Sequence, residues 1–172
     1  MENTFIKSEI WSLTIAGVYQ RVKIYNDALL TADIDFFESQ LKSYVLALEH
    51  EHYRKEVSSE KHLENIEQLA SFFKESSVLN ENVPPFGIAQ KFLNLYLKYV
   101  WCLGEIKEPP HFPIDRSIQK TMGIPAEKVM AWTEIDDKEA YMGIIDLGKK
   151  LKGEVSLADF ELRLFNEKRL VA

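Results

Sequence analysis

Apolar residues recur every three or four positions through most of this chain and almost nowhere in strict alternation. That spacing lines up apolar side chains on one stripe of a helix, whereas a half-buried strand needs a period of two. Trp11, Ile15, Val18, Val22 and Tyr25 predict a first helix over about residues 5–25. Asp35-Phe-Phe-Glu38 has the form of a capping box, so a second helix is expected to start there and run to about Val57. Phe37, Leu41, Tyr44, Leu48 and His52 would follow one of its faces. Ser58-Ser59 breaks or caps the chain, and a third helix follows over about Glu60–Glu75, with Leu63, Ile66, Leu69, Ala70 and Phe73 inward. These two charged helices read as an antiparallel hairpin, or as one long helix interrupted at Ser58.

Pro84-Pro85 makes residues 80–86 a loop, because proline cannot continue a preceding helix. The next stretch, about residues 87–103, is the most apolar in the chain and ends at Gly104, which suits a C-terminal cap. So many of its positions are apolar that it reads as the central helix, touching neighbours on several sides. A proline-rich connection covers residues 105–114. Asp115 can cap a short helix that Gly123 stops, and Pro125 suits the first turn of another. Asp136 or Asp137 can begin a helix lasting to about Leu151. Ser156-Leu-Ala-Asp159 resembles a second capping box, leading into a last helix with Phe160 and Leu164 inward. The expectation is one all-α domain of about six to eight helices. An acidic N-terminal part would span residues 1–79 and a helical core part residues 80–172.

Composition adds limits more than identity. A chain of 172 residues with 46% hydrophobic and 28% charged residues can bury a proper core. No apolar run is long enough to span a bilayer, and the first residues lack a basic region followed by an apolar core. A cytoplasmic location and no membrane partner are therefore expected. The single cysteine, Cys102, cannot form an internal disulfide or an all-cysteine metal or iron–sulfur site. Its Val, Trp and Leu neighbours predict a buried, inert thiol. The net charge of −6 argues mildly against a general nucleic-acid binder. Charge is uneven, however. Residues 1–86 hold 8 basic against 14 acidic residues, residues 87–130 hold 6 against 4, and residues 131–172 hold 7 against 9. Residues 87–130, with four of the six prolines, are the one electropositive part.

Candidate chemistry concentrates in that segment. Gln90, Lys91, Asn94, Lys98 and Trp101 fall close to one face of the central helix. A lysine and an asparagine on a mostly buried helix must be paired, hydrogen-bonded or turned to a cavity; otherwise the stripe is a solvated edge. Lys91 sits in the first turn, where unpaired amides already favour an anion. The loop after the helix delivers His111, Asp115 and Arg116. Asp115 is first of all an N-cap, and the same carboxylate can serve as a base or electrostatic stabiliser. Trp101 and Trp132 could stack on a ring, or simply fill core. Glu49 and His52 have the spacing of a helical metal pair, but no second helical Glu-x-x-His accompanies them, so a solvated charged face is the reading and no metal is expected. No P-loop, dinucleotide glycine motif or Ser/His/Asp arrangement is present, and no cofactor is implied.

Two resemblances follow from these residues. Gly87-x-Ala89-Gln90-Lys91, Asn94, Leu97-Lys98-Tyr99, Leu103-Gly104, Pro113-x-Asp115-Arg116 and Trp132-Thr133 together resemble a family of uncharacterised bacterial proteins, over about residues 84–141. Val83-Pro-Pro-Phe-Gly-Ile-Ala-Gln-Lys91, with His111-Phe-Pro-Ile-Asp115 and Met122-Gly-Ile-Pro125, is also similar to the hairpin and following loop of helix-hairpin-helix DNA glycosylases. The paired glycines of that hairpin are absent here. This resemblance implies Lys91 as the amine that attacks a sugar carbon and Asp115 as the carboxylate supporting base loss. Gln90, Asn94, Lys98, Trp101, His111, Arg116 and Trp132 would then bind the nucleic acid. The expectation from a different class is a non-catalytic helical interaction module, a homo-oligomer through its N-terminal helices.

Overall fold

The computed structural model describes residues 4–20 and 22–170, with side chains described as far as Glu167. The fold is all-α. Seven α-helices follow in order among the described residues: α1 Thr4–Tyr19, α2 Thr31–Leu48, α3 Ser59–Ser76, α4 Pro85–Cys102, α5 Arg116–Thr121, α6 Lys138–Leu151 and α7 Leu157–Leu170. A π-helical turn, Glu49–Tyr53, extends α2, and short 3-10 turns lie at Ala126–Lys128 and Trp132–Glu134. No strand occurs among the described residues beyond an isolated bridge between Tyr25 and Leu79.

The predicted central helix is central. Every α4 residue from Phe86 to Lys98 is buried, and α4 packs most extensively against α3 and α1. One cluster of apolar side chains runs from Ile10 of α1 to Leu157 at the start of α7. Two glycines mark how closely α4 and its neighbours approach. A Cβ on Gly87 would fall 2.2 Å from the Trp132 carbonyl oxygen and 2.8 Å from that of Ile135, so main chain crosses directly over the first turn of α4. On α1, a Cβ at Gly17 would lie 2.6 Å from a Leu95 methyl group.

The antiparallel hairpin of α2 and α3 is present. Phe37 near the start of α2 stacks on Phe72 near the end of α3, and Tyr44 stacks on the same ring. At the other end Tyr53 meets His62. Caps at Ser58, Asp115 and Asp137 each accept an amide hydrogen bond from the residue three further on. The Ser156 hydroxyl likewise accepts from the Asp159 amide.

Several predicted boundaries move: α2 and its π-helical turn end at Tyr53 short of Val57, α4 starts at Pro85 inside the expected loop, and two further shifts have a visible cause. The first helix stops at Tyr19, because the following chain turns to bridge Leu79 and to send the Tyr25 hydroxyl to Glu38. The second starts at Thr31 rather than Asp35. There the Asp33 carboxylate accepts the Leu30 amide and supplies the cap that Asp35 was expected to make. No helix among the described residues is long and apolar enough to cross a membrane.

Candidate functional site

The polar stripe of α4 is buried, which corrects its reading as a solvated edge. From Gln90 to Lys98 each of its polar members has an internal partner, and Trp101 alone is half-buried. Gln90 spans the backbone of Ile114, accepting from its amide at 3.3 Å and donating to its carbonyl at 3.5 Å. Chain in the proline-rich connection lacks helical partners, and a side-chain amide supplies both halves of the missing pair. One turn along, the Lys91 ammonium donates to Asp115 at 3.0 Å. Lys91 is 7% exposed and Asp115 37%. Burial alone would raise the Asp115 carboxyl. The Lys91 charge and the amides at the start of α5 outweigh it and hold the group below the usual carboxylate range. Further along, the Lys98 ammonium donates to one Glu161 oxygen at 2.9 Å and lies 2.6 Å from the other.

Asn94 anchors a longer chain of hydrogen bonds whose direction can be worked out. Its Nδ2 faces the Gln90 carbonyl at 2.9 Å, a group that can accept and never donate, so Nδ2 is the amide nitrogen and Oδ1 faces the other way. Oδ1 lies 2.9 Å from His62 Nε2, which must therefore carry a proton. In a neutral imidazole the other nitrogen, Nδ1, then accepts from the Tyr53 hydroxyl at 2.7 Å. Tyr53 in turn accepts from Asn65 Nδ2 at 3.0 Å. In the other direction Asn94 Nδ2 also donates to the Tyr141 hydroxyl, at 3.1 Å. The Tyr141 hydroxyl then donates to His111 Nδ1 at 2.9 Å, the one acceptor among the described residues for its O–H. His111 Nε2 then donates to Ser59 Oγ at 2.6 Å.

This polarity decides what the cluster can do. Ser59, His111 and Tyr141 are in line like a nucleophile, a base and an orienting group. A general base needs a bare nitrogen toward the hydroxyl, and His111 presents an N–H there. Burial pulls His62 down to about 4. His111 falls to about 2 through burial and then the neighbouring His62 and Lys149 charges. Both rings are neutral over ordinary pH, as the ordered chain requires. The network is a fastener joining α3, α4, α6 and the proline-rich connection.

The predicted site residues are thus distributed over several contacts. Lys91 and Asp115 meet. Gln90 and Lys98 turn to separate partners, Asn94 and His111 share the Tyr141 hydroxyl, and Arg116 is exposed and pairs loosely with Glu134 at 3.6 Å. Trp101 is half-buried near the end of α4. Trp132 is buried, with its carbonyl over Gly87. Cys102 is exposed, correcting the expected buried thiol, because α4 emerges from the core in its last turn. Glu49 is buried rather than solvated. The π-helical turn widens the hydrogen-bond ring by one residue and swings Glu49 inward, where it accepts the Tyr96 hydroxyl. Among the described residues no three His, Cys, Asp or Glu side chains gather as a metal would require. Sequence reasoning did not single out Tyr53, His62, Asn65, Tyr141 or Glu161. A buried partner was implied by the polar residues of α4, but nothing local to these five marked them as that partner.

No protein-family model matches the chain, and neither a curated protein nor a solved structure does.

Proposed function

We propose that the chain is a non-catalytic helical interaction module that pairs with a second copy of itself through the outer face of α1. The observation that carries this reading is the character of that face. Phe5 is 66% exposed and Leu13 52%, and no charged residue occurs from Ile10 to Gln20. A helix that is apolar around most of its girth is normally covered on all sides. Ser8, Ser12 and Ala16 are also exposed and follow one another at four-residue spacing beside Leu13. Small residues in such a row let a second helix approach closely.

Charge favours a second copy over a different surface of the same chain. Two molecules of net charge −6 repel, and they meet with least opposition on a face whose one exposed charge is Glu9, between Phe5 and Leu13. At 16 residues, α1 is roughly 24 Å long, enough to form the spine of a two-fold contact. The buried stripe of α4 supports the same conclusion from inside. Its polar groups are consumed by internal partners, so their presence needs no substrate to explain it. Light scattering over a concentration series is expected to give a reversible dimer, and Leu13→Glu a monomer with unchanged circular dichroism. A wild-type protein that stays monomeric throughout, or a Leu13→Glu variant that still dimerises, would end this reading.

A second reading rests on the Lys91–Asp115 contact. Asp115 opens to solvent over a third of its surface, and the exposed Arg116, Lys120 and Lys128 belong to the same electropositive segment. A glycosylase-like protein would use them to hold a phosphate backbone. Asp115 would stay ionised and stabilise the developing sugar cation, while the Lys91 amine, its proton lost to solvent, bonds to the sugar carbon as the bond to the base breaks. Borohydride reduction in the presence of DNA with an abasic site is the direct test. A covalent protein–DNA adduct, absent from Lys91→Arg, is expected on this reading; no adduct and no salt-sensitive DNA shift would remove it.

A further inference from the structure

We infer that the cleft between α1, α2 and α4 binds a small aromatic carboxylate. This goes beyond self-association and does not depend on it: the cleft lies along Lys7 and Trp11 of α1, and of the pairing face only Ser8 borders it. The cleft has a volume of about 290 Å³ and is bordered by Lys7, Ser8, Trp11, Lys42, Leu46 and Tyr96. That size suits a one- or two-ring molecule, at the small end of the range for ligand pockets.

Its walls are apolar and aromatic. Trp11 is held edge-on by Phe92 and Tyr96, with ring centroids 5.2 and 6.2 Å away, so its orientation is fixed by packing before any ligand arrives. The Tyr96 hydroxyl is already committed to Glu49, which leaves the tyrosine ring as wall. Leu46 is a partly exposed aliphatic side chain at the rim. A flat apolar ring is the complement of such a surface.

The charge of the ligand follows from the two lysines. Lys7 is paired with Glu105 at 3.3 Å. Lys42 has no carboxylate within 4.0 Å among the described residues; its ammonium lies 5.7 Å from the Trp11 ring centroid. The buried Glu49 does not answer that charge, because its contact is with Tyr96. One uncompensated ammonium over an aromatic wall, with Ser8 also on the border of the cleft, asks for an acceptor group joined to a ring. A carboxylate on Lys42 with its ring against Trp11 and Leu46 satisfies each of these groups.

The test is titration of the full-length protein with 1-naphthoate, followed by calorimetry and by quenching of tryptophan fluorescence. Saturable binding is expected, with the quenching lost in Trp11→Phe. Lys42→Met keeps the aliphatic stem and removes the charge, and should weaken binding about tenfold, the value of one charge-assisted hydrogen bond. The neutral 1-naphthamide should bind the wild type more weakly by a similar factor. Leu46→Trp fills the cleft from an exposed position and should abolish binding without lowering the melting temperature. Repeating the titration on Leu13→Glu separates this outcome from that of dimerisation. Absence of saturable binding, or equal binding by wild type, Lys42→Met and Leu46→Trp, would overturn the inference.

Discussion

Replacing Lys98 by methionine is expected to destabilise the fold by about 3–5 kcal/mol, the range for removing one partner of a buried ion pair. Methionine keeps most of the side-chain volume, so the effect isolates the charge. Glu161 is almost wholly buried, and burial alone raises its carboxyl above the usual range; Lys98 opposes that shift. Without the ammonium, a carboxylate remains in the core beside α4, and the only other cation acting on it, Lys91, is already paired with Asp115. It must take up a proton, draw in water, or release α7. The same ammonium lies 4.2 Å from the Phe165 ring centroid, so a second α7 contact is lost with it.

Urea denaturation at two pH values distinguishes this account from simple loss of packing. Lys98→Met should be penalised most near pH 7.5 and less near pH 5, because a raised carboxyl in the variant protonates on folding and regains stability as pH falls. The double variant Lys98→Met with Glu161→Leu should recover most of the loss, since a buried pair can be replaced by apolar groups at little net cost. A single variant within about 1 kcal/mol of wild type would mean that the pair behaves as an exposed one. A double variant no better than the single would place the cost in packing instead.

The legible and illegible parts of this fold divide by range. Caps at Ser58, Asp115, Asp137 and Ser156 were readable because donor and acceptor lie three residues apart in the chain. The centrality of α4 was readable because apolar residues cover its whole circumference. Boundaries failed where a local signal competed with a distant one. Val22 and Tyr25 continue the helical spacing of α1, yet Tyr25 is taken by Leu79 and Glu38. The buried partners of the α4 stripe were illegible for the same reason. Asn94 depends on His62 and Tyr141, 32 and 47 positions away, and Lys98 on Glu161, 63 positions away. A polar residue on an apolar helix announces that it has a partner. It does not say whether that partner is a ligand or another helix, and a buried lysine reads alike in both cases.

The ordered chain through the two histidines makes stability fall steeply in mild acid. In the unfolded chain an imidazole takes up a proton near pH 6.5. In the fold His62 resists until about pH 4 and His111 until about pH 2. Between pH 6.5 and 4 the unfolded state binds more protons than the native state, the excess rising from about one to nearly two near pH 5, so stability is fully present well above pH 6.5 and drains as pH falls. Two such groups give a limiting slope of about 2.7 kcal/mol per pH unit, and His62 alone accounts for about 3 kcal/mol by pH 4. The hydrogen-bond geometry supplies the cause. Each Nδ1 accepts a tyrosine hydroxyl, and a second ring proton would confront the proton already there. Glu161 works the other way, since its raised carboxyl binds its proton in the fold first and returns part of the loss. Asp115, held low, adds to the loss only below the usual carboxylate range. Urea midpoints at pH 7.5, 6.5, 5.5 and 4.5 should therefore fall only slightly across the first pair and drop sharply after it. His62→Gln should flatten part of that drop while lowering stability at pH 7.5, and nitrogen-15 spectra should show both rings as neutral tautomers protonated on Nε2 at pH 6. A midpoint unchanged down to pH 4.5, or an Nδ1-protonated His111, would show that the chain does not run in the direction assigned to it.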